Sequence, residues 1–151
     1  MLGKTYENQN CSVARALEIV GERWSLLIMR NAMFRGTTKF TDFQRDLGIA
    51  PNVLTSRLET FVAAGLMYTD HREYRLTEKG LGLQPALIAL TEWGDRWAAP
   101  DGPPIVYEHE DCGGRVHQRI GCTTCDAVPA PESVKARPGP GKRRTPPPPP
   151  A

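Results

Sequence analysis

Lys39–Leu66, KFTDFQRDLGIAPNVLTSRLETFVAAGL, decides the fold. It divides into two short helices around a tight turn. Thr41 stands at an N-cap position with Gln44 three residues on, the spacing of a capping box. Phe43 and Leu47 share a face of the first helix, and Gly48 supplies a left-handed residue to end it. Pro51 suits a first helical turn, where its missing N–H costs nothing. Leu54, Leu58, Phe61 and Val62 then repeat at helical period. At about 100° per residue, Asn52, Thr55, Ser56 and Glu59 point away from that stripe, with Arg57 on its flank. Short polar side chains near a helix N-terminus suit base edges and phosphates. An ordinary solvated face gives the same pattern in an isolated helix, so the neighbouring elements carry weight.

Outward from this stretch, Leu66–Thr69 and Glu73–Leu76 are β-prone runs around Asp70-His71-Arg72 and predict a hairpin. The order helix–turn–helix–hairpin is that of a winged helix-turn-helix. The hairpin turn has no Gly or Asn-Gly pair, so sequence leaves its geometry open. Its basic tip places His71 and Arg72 beside the second helix as candidate contacts to backbone or minor groove. Thr38 and Lys39, just before the first helix, complete the candidate DNA-binding set with Asn52, Thr55, Ser56 and Arg57.

Upstream, Ser12–Val20 and Glu22–Phe34 read as helices broken at Gly21, with Trp24, Leu27, Ile28 and Met33 in the core. Downstream, Thr77 is a plausible N-cap for a helical pattern running to Trp97. Pro85 either kinks that helix or starts its main part. Leu83, Leu87, Leu90, Trp93, Gly94 and Trp97 form an apolar stripe wider than one small domain needs, and a partner helix would cover it.

These segments together resemble the HxlR-type winged-helix regulators, a bacterial branch close to the MarR group. The likeness rests on the ordered set Cys11–Leu17, Gly21–Ile28, Phe40–Phe43, Ile49–Leu54, Arg57-Leu58, Ala64–Leu66 and Glu73–Gly80, and it runs from about Cys11 to Trp97. The wing here is shorter than the family's, and Ser12 stands where the family often has proline. The resemblance implies a homodimeric regulator, a repressor by preference, on a pseudo-palindromic double-stranded DNA operator. Its two recognition helices would lie about 34 Å apart. It also makes Cys11 the candidate redox sensor, because matching cysteines in some members sense oxidants or electrophiles. Independently, Cys11 precedes a helix whose partial positive charge, with Arg15 one turn on, favours a thiolate. A small buried residue near the dimer interface is the other reading, and a small ligand at that interface is the alternative effector.

After the turn-rich Pro100–Pro104 comes IVYEHEDCGGRVHQRIGCTTCDAV, from Ile105. His109-x2-Cys112 and Cys122-x2-Cys125 are two chelating pairs whose donors suit tetrahedral, structural Zn2+. Ile105–Glu108 and Arg115–Ile120 would be the attached strands, and His117 could replace His109. A reduced unmetallated hairpin and a Cys122–Cys125 disulfide remain as rivals. From Pro129 the chain is Pro-rich and basic, predicting a disordered tail. Its Lys142-Arg143-Arg144 could brush phosphates.

The expected architecture is therefore α+β, mainly α. It has a winged helix-turn-helix domain with N- and C-terminal dimerisation helices (1–99), a small Cys/His β-hairpin module (105–128) and a tail (129–151). Nineteen Lys and Arg against seventeen Asp and Glu give a formal net charge of +2, so DNA affinity must come from local placement. No signal peptide and no run of roughly 20 apolar residues is expected, which predicts a cytoplasmic, nucleoid-associated protein without membrane contact. No nucleotide loop, carboxylate pair or nucleophile–base motif points to an enzyme. A winged helix used only for protein association is the alternative. Glu59 leans towards it, and Asn52, Thr55, Ser56 and Arg57 lean away.

Overall fold

The computed structural model describes residues 5–7 and 9–142. Six helices and one hairpin follow in the order α1 (Ser12–Val20), α2 (Ser25–Phe34), α3 (Phe40–Leu47), α4 (Pro51–Ala63), β1 (Met67–Asp70), β2 (Glu73–Leu76), α5 (Glu78–Leu81) and α6 (Gln84–Trp97). Ile28, Met29, Phe43, Leu54, Leu58, Phe61 and Met67 are buried in one cluster. They come from the apolar stripes of three helices, α2, α3 and α4, and from the inner face of β1, so one core fixes these helices and the hairpin together. No helix among the described residues is long and apolar enough to cross a membrane.

The helix-turn-helix is built as its punctuation requires. Gly48, at φ 63°, ends α3, and its amide donates to the Gln44 carbonyl at 2.9 Å. Pro51 opens α4. Gly65, at φ 73°, closes α4, with Leu66 N–H donating to the Phe61 carbonyl at 2.8 Å. Thr77 caps α5, accepting from the Gly80 amide at 3.1 Å, and donates its hydroxyl to the Gly65 carbonyl at 2.6 Å. A Cβ on Gly80 would collide with the Leu66 carbonyl oxygen, so only glycine lets α5 press against the end of α4.

Several expectations need correction. Thr41 is not the N-cap of α3: the helix starts at Phe40, Lys39 holds the cap position, and no side chain caps it. The cause lies in the hairpin. Lys39 forms a β-bridge with Glu73, and the Tyr74 amide donates to the Thr38 carbonyl at 2.8 Å, so pairing holds residues 38–39 extended until the helix begins. Glu22–Trp24 are not helical, because Trp24 sits at φ 80° and α2 begins only at Ser25. Leu27 and Val62, expected in the core, are exposed, while Trp24 and Met33 pack half-buried against it. Pro85 lies in the first turn of α6 and starts that helix rather than kinking it.

Beyond α6 the described chain has no regular strand. Ile105–Glu108 and Arg115–Ile120 do not form a ladder, and only Glu108 and Arg115 make a β-bridge. The segment is too exposed to bury the faces that would hold strands together. It is attached nonetheless. Tyr107 stacks on Phe34 of α2 (centroids 4.1 Å apart), and His117 Nδ1 lies 2.8 Å from Glu92 Oε1 of α6. From Pro129 to Lys142 the chain is largely exposed, with one short 3-10 turn at Pro131–Ser133. Arg143, Arg144 and the terminal prolines lie outside the described residues.

Candidate nucleic-acid interface

Helix α4 is anchored from behind by Leu54, Leu58 and Phe61, all fully buried. That anchoring sends Asn52 and Thr55 outward, exposed, with Ser56 half-buried beside them. The Thr55 hydroxyl donates to the Pro51 carbonyl at 2.9 Å, which fixes its rotamer on the first turn. No side chain caps the start of α4, so its first amides and the positive end of its dipole stay available to a phosphate.

Arg57 is placed differently from the other expected contacts. Its side chain is only 18% exposed, its Nη2 lies 3.8 Å from Glu22 Oε2 in the α1–α2 turn, and its buried Nε has no hydrogen-bond partner among the described residues. It ties α4 to that turn and does not extend the Asn52–Thr55 face.

The hairpin pairs Met67 with Leu76 and Asp70 with Glu73. Its two-residue turn, His71 at φ 46° and Arg72 at φ 67°, is left-handed at both positions, the type I′ geometry that matches strand twist. His71 is thereby 96% exposed at the tip. Arg75 is held by Glu73 at 2.7 Å and Asp70 at 3.5 Å, whereas no ion pair among the described residues involves Arg72. The Lys39–Glu73 bridge brings exposed Lys39, with half-buried Thr38 before it, to the base of the wing. Sequence reasoning missed that bridge, since nothing local to Lys39 signals a strand partner more than thirty residues on.

Cys11 is exposed at the N-cap of α1. The Ala14 and Val13 backbone amides face its sulfur and pull its pKa below the ordinary thiol value, with a smaller contribution from the Arg15 charge. Arg15 is itself engaged by the Tyr6 and Gln9 carbonyls and by Glu18 at 2.9 Å. The late chain passes nearby: Asn10 Nδ2 donates to the Gly141 carbonyl at 3.2 Å, and Arg137 and Lys142 line a cavity shared with Cys11.

In the Cys/His segment, His109 Nδ1 is 3.4 Å from Cys112 Sγ, and the Cys125 and Thr124 amides face the Cys122 sulfur, lowering its pKa. Each expected pair is thus locally assembled. Among the described residues, however, no three His, Cys, Asp or Glu side chains gather closely enough to hold an ion. His117, the alternative donor, is engaged by Glu92.

A core-anchored second helix with a polar outer face, a tight turn before it and a type I′ wing behind it define a winged helix-turn-helix DNA-binding protein. The chain belongs to the HxlR-like helix-turn-helix family, whose model matches residues 19–102. It is 44% identical over 138 residues to the uncharacterized HTH-type transcriptional regulator Rv3095 of Mycobacterium tuberculosis, covering 86% of this chain and 87% of that one. Among solved structures it is similar to PA1607, a putative transcription factor, at 36% identity and a TM-score of 0.77, covering 87% and 97% of the two chains. It is also similar to the redox regulator HypR in its oxidized form, at 30% identity and a TM-score of 0.52, covering 57% and 96%. The chain is accordingly a transcriptional regulator and stands in a family that is not an enzyme class.

Proposed function

We infer that this regulator is a homodimeric repressor, working in the cytoplasm on a pseudo-palindromic operator, and that it responds to oxidants or electrophiles through Cys11. The observation that carries the DNA reading is the Asn52–Thr55 face, exposed at the first turn of α4 while Leu54, Leu58 and Phe61 hold the helix rigidly from behind. A side chain reads a base edge only when its backbone is fixed to within a fraction of an ångström. The dimer reading is supported by α6, where Trp93 and Trp97 are 61% and 65% exposed on the same helix as exposed Leu90. Exposed large apolar residues in such number mark an interface. On α1, beside Cys11, Val13 and Leu17 are exposed as well. Oxidation or alkylation at the start of α1 would then change the spacing of the two α4 helices, shifting the balance between a DNA-competent and an incompetent dimer.

The test is operator binding by reduced protein before and after treatment with a quinone or hypochlorite, with Cys11→Ser alongside. The reading expects operator release from the native chain and retention by C11S. Equal release from both proteins would remove Cys11 from the mechanism. A second reading has its own observation: Ala16, Ile19, Val20, Leu66 and Leu83 line an apolar cleft between α1 and the start of α6. A small apolar effector seated there would act on the same helices, and it would release operator equally from C11S.

A further inference from the structure

His109–Gly114 and Cys122–Ala127 are two copies of one backbone turn, although their sequences share only a cysteine at the fourth position. In the first, the Gly113 amide donates to the His109 carbonyl at 2.8 Å, and the His109 amide donates to the Gly114 carbonyl at 2.8 Å. In the second, Asp126 N–H to Cys122 O and Cys122 N–H to Ala127 O repeat both bonds at 2.9 Å. The residue after the second donor is left-handed in each, Gly113 at φ 68° and Asp126 at φ 55°. A non-glycine residue in that region is uncommon, so the second turn adopts the shape without the residue that makes it easy. Each turn brings its first and fourth side chains together, imidazole beside thiol in one and thiol beside thiol in the other.

Beyond the Tyr107–Phe34 stack, little hydrophobic burial accounts for this order. From Ile105 to Val128 no residue is buried, and only Tyr107 and Cys122 are half-buried. Segments this small and coreless are ordinarily held by a disulfide or a metal. The donor set selects between metals: three thiols and one imidazole suit tetrahedral Zn2+, while hard, oxygen-seeking cations would find no ligands of their kind. His109 is prepared for the role. Asp111 Oδ2 lies 3.4 Å from Nε2, while Nδ1 faces the Cys112 sulfur at 3.4 Å. His117 is occupied by Glu92, which removes the competing donor.

We propose that the two turns are zinc knuckles that close on a single Zn2+, with His109, Cys112, Cys122 and Cys125 as its four ligands. The turns do not converge on one point as they stand, and the exposed Arg119–Gly121 connection is the part that rearranges to bring them together. Closure releases three thiol protons to solvent and leaves no open coordination position, so the site is structural. Because Tyr107 lies on α2 and His117 and Gln118 lie on Glu92 of α6, the closed module is fastened to the helix with the exposed tryptophans.

Cobalt substitution of the full chain tests this. Reduced, metal-free protein titrated with Co2+ is expected to take up one ion per chain. The thiolate-to-cobalt charge-transfer band and the intense visible bands of tetrahedral Co2+ should appear, and one equivalent of Zn2+ should abolish them. H109A, C112S, C122S and C125S should each weaken or alter that spectrum, and D111N should weaken binding about 10–100-fold. H117A and C11S should leave it unchanged. Circular dichroism of each variant verifies that helices α1–α6 persist, so a lost spectrum reports the site and not the fold. Absence of a tetrahedral spectrum in the native chain would overturn the proposal. So would loss of the spectrum in H117A with retention in H109A, or a stable Cys122–Cys125 disulfide in protein prepared without oxidant.

Discussion

Asn52 and Arg57 are a turn and a half apart on one helix, yet the structure gives them different work. Asn52 is exposed and makes no contact that the fold needs. Asn52→Ala should therefore leave stability unchanged and cost about 1–3 kcal/mol of discrimination at one operator position, read by competition among single-base operator variants. Arg57 is half-buried against Glu22. Arg57→Ala should lower the melting temperature while leaving the ranking of those variants intact. A change in ranking for R57A with none for N52A would reverse the two assignments. Cys11 carries a third expectation. Its thiolate is favoured by the Ala14 and Val13 amides only in the folded chain. A lowered folded pKa means a stabilising contribution that is complete above the ordinary thiol pKa and is lost as pH falls through the lowered value. Alkylation of native Cys11, followed by peptide mass spectrometry against pH, should reach half its maximal rate below the midpoint for the unfolded chain. Coincident midpoints would refute this. Sequence alone revealed Cys11 as a helix-start thiol because N-terminal amides are local to the chain. The burial of Arg57 was hidden, because its partner comes from a turn thirty-five residues earlier.

At the scale of elements, what could be read was what local chemistry sets. Gly48, Pro51 and the Leu54–Leu58–Phe61 period located the helix-turn-helix, and the single helical pattern read from Thr77 to Trp97 divides into α5 and α6, with Pro85 in the first turn of α6. The start of α3 was misread because β-pairing of Lys39 with Glu73 overrides a good capping box. The wing turn was unreadable because His71 and Arg72 hold a conformation that asparagine and glycine ordinarily mark. That mismatch is testable. Arg72→Gly should relieve left-handed strain and stabilise the protein by up to about 1 kcal/mol in urea unfolding. The same change should weaken DNA binding if the wing tip touches backbone. Leu58→Ala, which empties the anchor of α4, should cost about 2–5 kcal/mol in the same experiment. A loss well under 1 kcal/mol would mean that α4 is not seated on this core.

For the whole molecule, the open question is what covers α6. Leu90, Trp93 and Trp97 are exposed on a helix that Leu87 and Ile88, both buried, hold to the core. The apolar stripe was visible in sequence as wider than one domain requires, and its exposure in the single chain is the physical counterpart of that excess. A Trp93→Ala, Trp97→Ala double variant should sediment as a monomer and lose most operator affinity, since one half-site supplies only part of the contacts. A variant that remains dimeric would move the interface elsewhere. The central claim is that the Asn52–Thr55 face reads a particular DNA sequence. It is tested most directly by binding of the purified chain to the duplex upstream of its own gene, against a scrambled duplex, at two salt concentrations. Phosphate contacts weaken steeply with salt whatever the sequence, whereas base contacts preserve the preference between duplexes. The account predicts tighter binding to the native duplex, with that preference persisting at the higher salt. Binding to neither duplex at either salt would contradict it.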